Sequence, residues 1–92
     1  MNLEQMRQLI DQLNADIIAL FSKRLDVAKE IAKLKKCKQL PVYDAEREQS
    51  QREELRVLAV RYGLSPAVIE EMFTLFVEYT KIMEKMEMEP KR

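Results

Sequence analysis

LEQMRQLIDQLNADIIALFSKRLDVAKEIAKLKKC, residues 3–37, holds neither glycine nor proline anywhere along its length. Apolar side chains recur in it at steps of three and four: Leu3, Met6, Ile10, Leu13, Ile17, Leu20, then Val27, Ile31 and Leu34. That spacing predicts one long α-helix with an apolar stripe packed against other helices. The position that should continue the stripe between Leu20 and Val27 is Arg24. A guanidinium in an apolar seam is costly unless an anion meets it there.

A helix over 3–37 is roughly 50 Å long at about 1.5 Å per residue. A compact monomer of this chain length should be only about 30–35 Å across. The helix overshoots any globule its own chain can build, yet its stripe continues along the overhang. The simplest partner is a second copy, which predicts an intertwined homodimer. A plain two-stranded coiled coil would leave the stripes of the other helices unburied.

The rest of the chain supports an all-α, three-helix reading of a single domain over 1–92. One Gly and three Pro among 92 residues leave little material for the turns of a β protein. Asp44 is placed as N-cap of a second helix running to Tyr62, with Gly63 as its C′ residue. Ser65 and Pro66 suit the N-cap and N1 of a third helix, ending near residue 87. Pro41 holds Leu40 out of the helical region, and the tail Glu89–Arg92 is expected to fray. Sixteen basic and sixteen acidic residues cancel, so no global field recruits nucleic acid or a membrane surface. No apolar run is long enough to span a bilayer and no signal segment opens the chain, which makes the cytoplasm the default location. The single Cys37 excludes an internal disulfide, and the absence of His argues against a metal site and the commonest acid–base catalyst. Cys37, at a helix end beside lysines, reads as incidental.

Polar residues interrupt the apolar seam of every helix. In the second, the stripe Tyr62, Leu58, Leu55 steps back onto Gln51, Glu48 and Asp44, with Arg47 on its flank. In the third, Ile69, Phe73, Phe76 and Val77 lead to Thr80 and then Glu84. In the first, Arg24, Ala28, Ile31 and Lys35 share a face. Each has a plain structural explanation. For Arg24 alone, an interhelical salt bridge is the commoner outcome, and Asp44 suffices as an N-cap. Arg47 and Glu48 lie in EREQSQREE, a charge-rich run of the kind usually solvated. Lys35 is one of a lysine cluster, Thr80 can bond its own helix, and Glu84 can pair with Lys81. Taken together, one polar pocket lined by cations accounts for all three interruptions. Its ligand would be a small molecule carrying several negative charges, such as a dicarboxylate, because an Arg fork matches carboxylates.

The pattern resembles the AroQ-class, all-helical chorismate mutases, over about residues 3 to 86. The residues that carry it are MRQLID with Arg7, SKR with Arg24, KLK with Lys35, the signature LPVYDAERE, and LFVEYTKIME with Thr80. Within LPVYDAERE the specific pattern is P-V-x-D-x-x-R-E, holding Asp44, Arg47 and Glu48. The resemblance implies an intertwined dimer that rearranges chorismate to prephenate in phenylalanine and tyrosine biosynthesis, without metal or cofactor. The reaction is concerted, so positioning and electrostatics would suffice. It further implies that Arg24 and the other chain's Arg7 grip the substrate carboxylates. Lys35 would bond a carboxylate and the ether oxygen, and Glu48, with backbone near Asp44, would hold the ring hydroxyl. Arg47 would add positive charge, Thr80 would meet the ring carboxylate, and Ile31 and Val77 would form apolar walls.

One departure stands out. Where relatives carry a Gln that donates to the ether oxygen, this chain has Glu84. Either its carboxyl is protonated and donates like the amide, or it turns to Lys35 or Lys81. The first is the expectation carried forward. Two alternatives to the mutase are an isochorismate pyruvate lyase of the same fold, which Asp44 disfavours, and a non-catalytic helical dimer or regulatory module. The sequence does not decide between a chain that works alone and one that docks on another enzyme of the pathway.

Overall fold

The computed structural model describes residues 1–41 and 43–88 and is all-helical there: α1 (Leu3–Cys37), α2 (Ala45–Arg61) and α3 (Pro66–Met88). Val42 of the loop signature and the tail Glu89–Arg92, expected to fray, lie outside the described residues.

Each helix begins where a side chain satisfies its first backbone donors. Asn2 and Gln5 form a reciprocal capping box on α1: Gln5 N donates to Asn2 Oδ1 at 2.8 Å and Asn2 N to Gln5 Oε1 at 2.9 Å. Asp44 Oδ1 accepts from Arg47 N at 3.1 Å, and Ser65 Oγ from Val68 N at 3.3 Å. The first two helices end in the same Schellman geometry. Leu40 N bonds Lys35 O and Gln39 N bonds Lys36 O after α1; Leu64 N bonds Ala59 O and Gly63 N bonds Val60 O after α2. The left-handed residue these turns need is Gly63 in one case (φ 71°) and Gln39 in the other (φ 57°).

α3 is the hub. It packs against both α1 and α2, which do not pack against each other. Phe21 of α1 meets Phe76 at 4.3 Å between ring centroids and Phe73 edge-on at 6.3 Å. Arg56 of α2 pairs with Glu70 of α3. The buried positions are small or polar: Ala32 (0% exposed), Ala59 (3%) and Thr80 (4%).

The faces that pack differ from those that periodicity emphasises. On α1 the side toward α3 runs through Phe21, Leu25, Ala28 and Ala32, about one residue round from the long stripe, so Val27, Ile31 and Leu34 stay exposed. On α2 it runs through Glu48, Gln51, Leu55 and Ala59, while Leu58 and Tyr62 face outward. In both helices a small alanine lets the backbones approach, and the larger apolar residues flank the contact. From Met1 to Leu20 every residue is exposed.

The chain is far from compact by itself. Its extents are 54 × 31 × 16 Å and its radius of gyration is 16.7 Å, against about 12 Å for a compact chain of this length. Its accessible surface of 7730 Å² exceeds the roughly 5,600 Å² of a folded monomer of this mass. Among the described residues, no helix is long and apolar enough to cross a membrane.

Gly63 gives a direct test of the α2 cap. A Cβ there would touch nothing, so the cost of Gly63→Ala is the backbone cost of a left-handed L-residue alone. The expected loss is about 1 kcal/mol, read as a lower urea midpoint with an unchanged slope.

Candidate functional site

Because α1 and α2 diverge from a shared α3, a groove opens between them, with a cavity volume of about 410 Å³. α1 contributes Arg24, Val27, Ala28, Ile31 and Lys35; the start of α2 contributes Asp44, Arg47, Glu48 and Gln51; α3 contributes Val77, Thr80, Lys81 and Glu84. The interrupted seams of the three helices therefore meet in one place. A smaller cleft between α2 and α3 adjoins it and shares Glu48, Gln51, Val77 and Lys81.

All but one of the sequence-predicted site residues line this groove. The exception is Arg7. It lies on the exposed N-terminal half of α1, seventeen residues before Arg24, hence about 25 Å away along the axis. Gln51, Lys81, Val27 and Ala28 line the groove without having been singled out as site residues. Lys81 was legible only as a possible ion-pair partner of Glu84 one turn away, a spacing shared by many solvated lysines.

Arg24 is half-buried, with its guanidinium carbon 5.1 Å from the centre of the Phe76 ring. This is a cation–π contact that covers one face of the planar group. Among the described residues Arg24 makes no ion pair within 4 Å, so the interhelical salt bridge that would explain it locally is absent. Burial lowers its pKa, against the charge of Glu84 and with that of Arg47, but a guanidinium stays protonated.

Glu84 sits opposite. Burial pushes its carboxyl above the ordinary carboxylate range, and the Glu48 charge adds to this. Lys35, Arg24 and Lys81 oppose, without reversing the direction. Lys81 takes Glu48, not Glu84: its Nζ lies 2.7 Å from Glu48 Oε1 and 5.1 Å from the centre of the Tyr43 ring. The groove thus holds Arg24, Lys35, Arg47 and Lys81 against Asp44, Glu48 and Glu84. With Glu84 neutral, the balance is two positive charges.

Two candidates carry local duties. The Asp44 carboxylate caps α2, and the buried Thr80 hydroxyl donates to Phe76 O at 2.9 Å. The Thr80 proton is thus committed to the helix backbone, and its oxygen keeps only acceptor capacity unless it rotates.

The sequence pattern of the family described as chorismate mutase type II matches residues 6–85. This chain belongs to that family. The match begins one residue before Arg7 and ends one after Glu84, so it takes in every candidate residue. The chain is 35% identical over 75 residues to the T-protein of Haemophilus influenzae, covering 82% of this chain and 20% of that protein. It is 26% identical over 87 residues to the chorismate mutase of Methanocaldococcus jannaschii, covering 95% of this chain and 88% of that enzyme. The chain thus spans a fifth of one of these curated relatives and most of the other.

Thr80→Val removes the hydroxyl while Phe76 O keeps its helical partner. No buried group is orphaned, so stability should change by less than about 0.5 kcal/mol in urea denaturation. A larger loss would mean the hydroxyl has a structural duty beyond its own helix.

Proposed function

We propose that this chain is an isomerase that converts chorismate to prephenate in a groove shared between two copies. The observation that carries the reading is the convergence of Arg24, Lys35 and Arg47 with a neutral-leaning Glu84 in one half-apolar groove. Four cations against three acids suit a substrate with two carboxylates, and the apolar walls Ile31 and Val77 suit its carbon ring. Arg24 offers a planar fork to a carboxylate from a position where its other face is already covered. Lys35 reaches a carboxylate and the ether oxygen. Glu48 and the backbone near Asp44 meet the ring hydroxyl, and the Thr80 hydroxyl, rotated away from Phe76 O, donates to the ring carboxylate.

The rearrangement breaks a C–O bond as a C–C bond forms within one molecule. Gripping both carboxylates holds the compact, reactive conformer and removes much of the entropic barrier. Negative charge that builds on the ether oxygen is met by Lys35 and by the Glu84 hydroxyl, donors fixed before the reaction begins. No proton needs to leave the substrate.

Two copies are needed because one chain is incomplete in two respects. Arg7 lies about 25 Å along α1 from the groove of its own chain, and the N-terminal half of α1 has nothing to cover its stripe. The surface in excess of a folded monomer is about 2,000 Å² per chain. That is the scale of an obligate helical interface.

Chorismate disappearance with prephenate formation, run beside isochorismate with salicylate detection, tests the activity. Turnover of isochorismate alone would replace the mutase by the lyase. Two further outcomes are specific. Arg7→Ala and Arg24→Ala chains should each be nearly inactive. Mixed and re-equilibrated at equal amounts, they should recover about a quarter of the wild-type sites, because half the dimers are mixed and each holds one intact site; no recovery would place Arg7 outside the partner's site.

The second outcome concerns pH. Glu84 donates only when protonated, and its pKa is raised. Activity should therefore be full on the acidic side and fall as pH climbs through that value, with substrate carboxylates pushing it higher still. Glu84→Gln should be flat across the same range. A wild-type profile already flat into alkaline pH would leave the ether oxygen to Lys35 alone.

A further inference from the structure

We propose that Lys81 is a positioning residue of this groove: its ammonium ties the Glu48 carboxylate to the Tyr43 ring and so fixes the wall that meets the substrate hydroxyl. The inference rests on the chorismate reading and deepens it.

Three segments meet at this one group. Lys81 belongs to α3, Glu48 to the first turn of α2, and Tyr43 to the connection that precedes it. The ammonium is 2.7 Å from Glu48 Oε1 and 5.1 Å from the Tyr43 ring centre. An ammonium has three donors and a carboxylate two oxygens. The pair leaves Oε2 able to accept from a hydroxyl, while Oε1 is anchored. A cation over an aromatic face also orders the ring, and with it the segment that enters the Asp44 cap.

The fold gives this contact a task. α2 touches only α3, and its apolar packing positions, Leu55 and Ala59, lie in its C-terminal half. Among the described residues, the half that carries Arg47 and Glu48 has no apolar anchor, and Lys81–Glu48 is an ion pair that ties it to α3. An internal control exists in the same pair of helices. Arg56–Glu70 is also an α2–α3 ion pair, with side chains of comparable exposure, yet neither residue lines the groove.

Lys81 also bears on Glu84, which feels Lys35 and Arg24 from α1, Glu48 from the start of α2 and Lys81 on its own helix, and shares the groove with Asp44 and Arg47. Removing the Lys81 charge deletes a cation and leaves the Glu48 charge uncompensated. Both changes favour neutral Glu84. The alkaline limb of the activity profile should then move to higher pH, which mere loss of packing would not do.

The test is steady-state chorismate consumption against pH for the wild type, Lys81→Met, Lys81→Gln, Lys81→Arg, Glu48→Gln, the Glu48→Gln/Lys81→Met double variant and Arg56→Gln. For Lys81→Met, KM should rise about three- to tenfold, the cost of loosening one charged hydrogen bond. Its kcat below the limb should change by less than about twofold, and its alkaline limb should move up. Lys81→Gln reads the same losses where the methionine variant loses its helical circular dichroism. Lys81→Arg should restore both KM and the limb, and Arg56→Gln should move neither. In the Glu48→Gln background the Lys81→Met penalty in KM should disappear, because the two act as one unit.

The proposal is overturned if Lys81→Met and Lys81→Gln match the wild type, if the Glu48 and Lys81 penalties multiply, or if Arg fails to rescue. A wild type that consumes no chorismate overturns the function itself. A turning wild type indifferent to Lys81 overturns only this inference.

Discussion

The structure depends on α3 being the only element that both other helices touch. Its inward face opens with Ile69, Phe73, Phe76 and Val77 and continues with Thr80, Lys81 and Glu84. Where that face is aromatic, α1 closes onto it through Phe21. Where it turns polar, neither α1 nor α2 can seal the space, because each brings its own charges there. The groove is thus a consequence of where apolar residues run out on three helices at the same level.

Within the groove, the balance of burial against charge separates Arg24 from Glu84. Both are half-buried, and desolvation works against the ionised form of each. A guanidinium cannot shed its proton within any ordinary pH range, so Arg24 keeps its charge and covers one face with Phe76. A carboxyl can take a proton up, and Glu84 leans that way even with three cations near it. The outcome is a groove with an excess of positive charge and one carboxyl whose pKa burial raises. Such an arrangement asks for a doubly anionic guest and uses no proton shuttle. A chain without histidine loses nothing by that.

Several residues serve folding and the groove at once. Asp44 begins α2, Thr80 bonds its own helix, and Lys81 binds helix to helix while lining the cavity. The structural explanations that sequence offered for Asp44 and Thr80 hold as far as they go. For Arg24 the corresponding explanation fails, since no carboxylate among the described residues comes within ion-pair distance. The proposed second copy enters here as well: the apolar stripe that stays exposed from Leu3 to Leu20 is the surface it would cover, and Arg7 sits on that stretch.

Sequence by itself determined the helices, since unbroken periodicity, caps at Asp44 and Ser65, and a glycine at 63 are local signals that act over a turn or two. It also identified the family, through P-V-x-D-x-x-R-E and the cations spaced ahead of it, and placed every groove candidate except those with unremarkable surroundings. Periodicity did not tell which side of α1 and α2 meets α3. The larger residues make the stronger stripe, whereas close helix packing is decided by Phe21, Ala32 and Ala59, small or shape-matched side chains one residue round. Nor did sequence assign the partner of Lys81, because a lysine one turn from Glu84 and across a helix pair from Glu48 has two carboxylates within nominal reach. Only the tertiary structure chose between them, by setting the distance from α3 to the first turn of α2. That choice leaves Glu84 without an ion pair to Lys81, while burial raises its pKa.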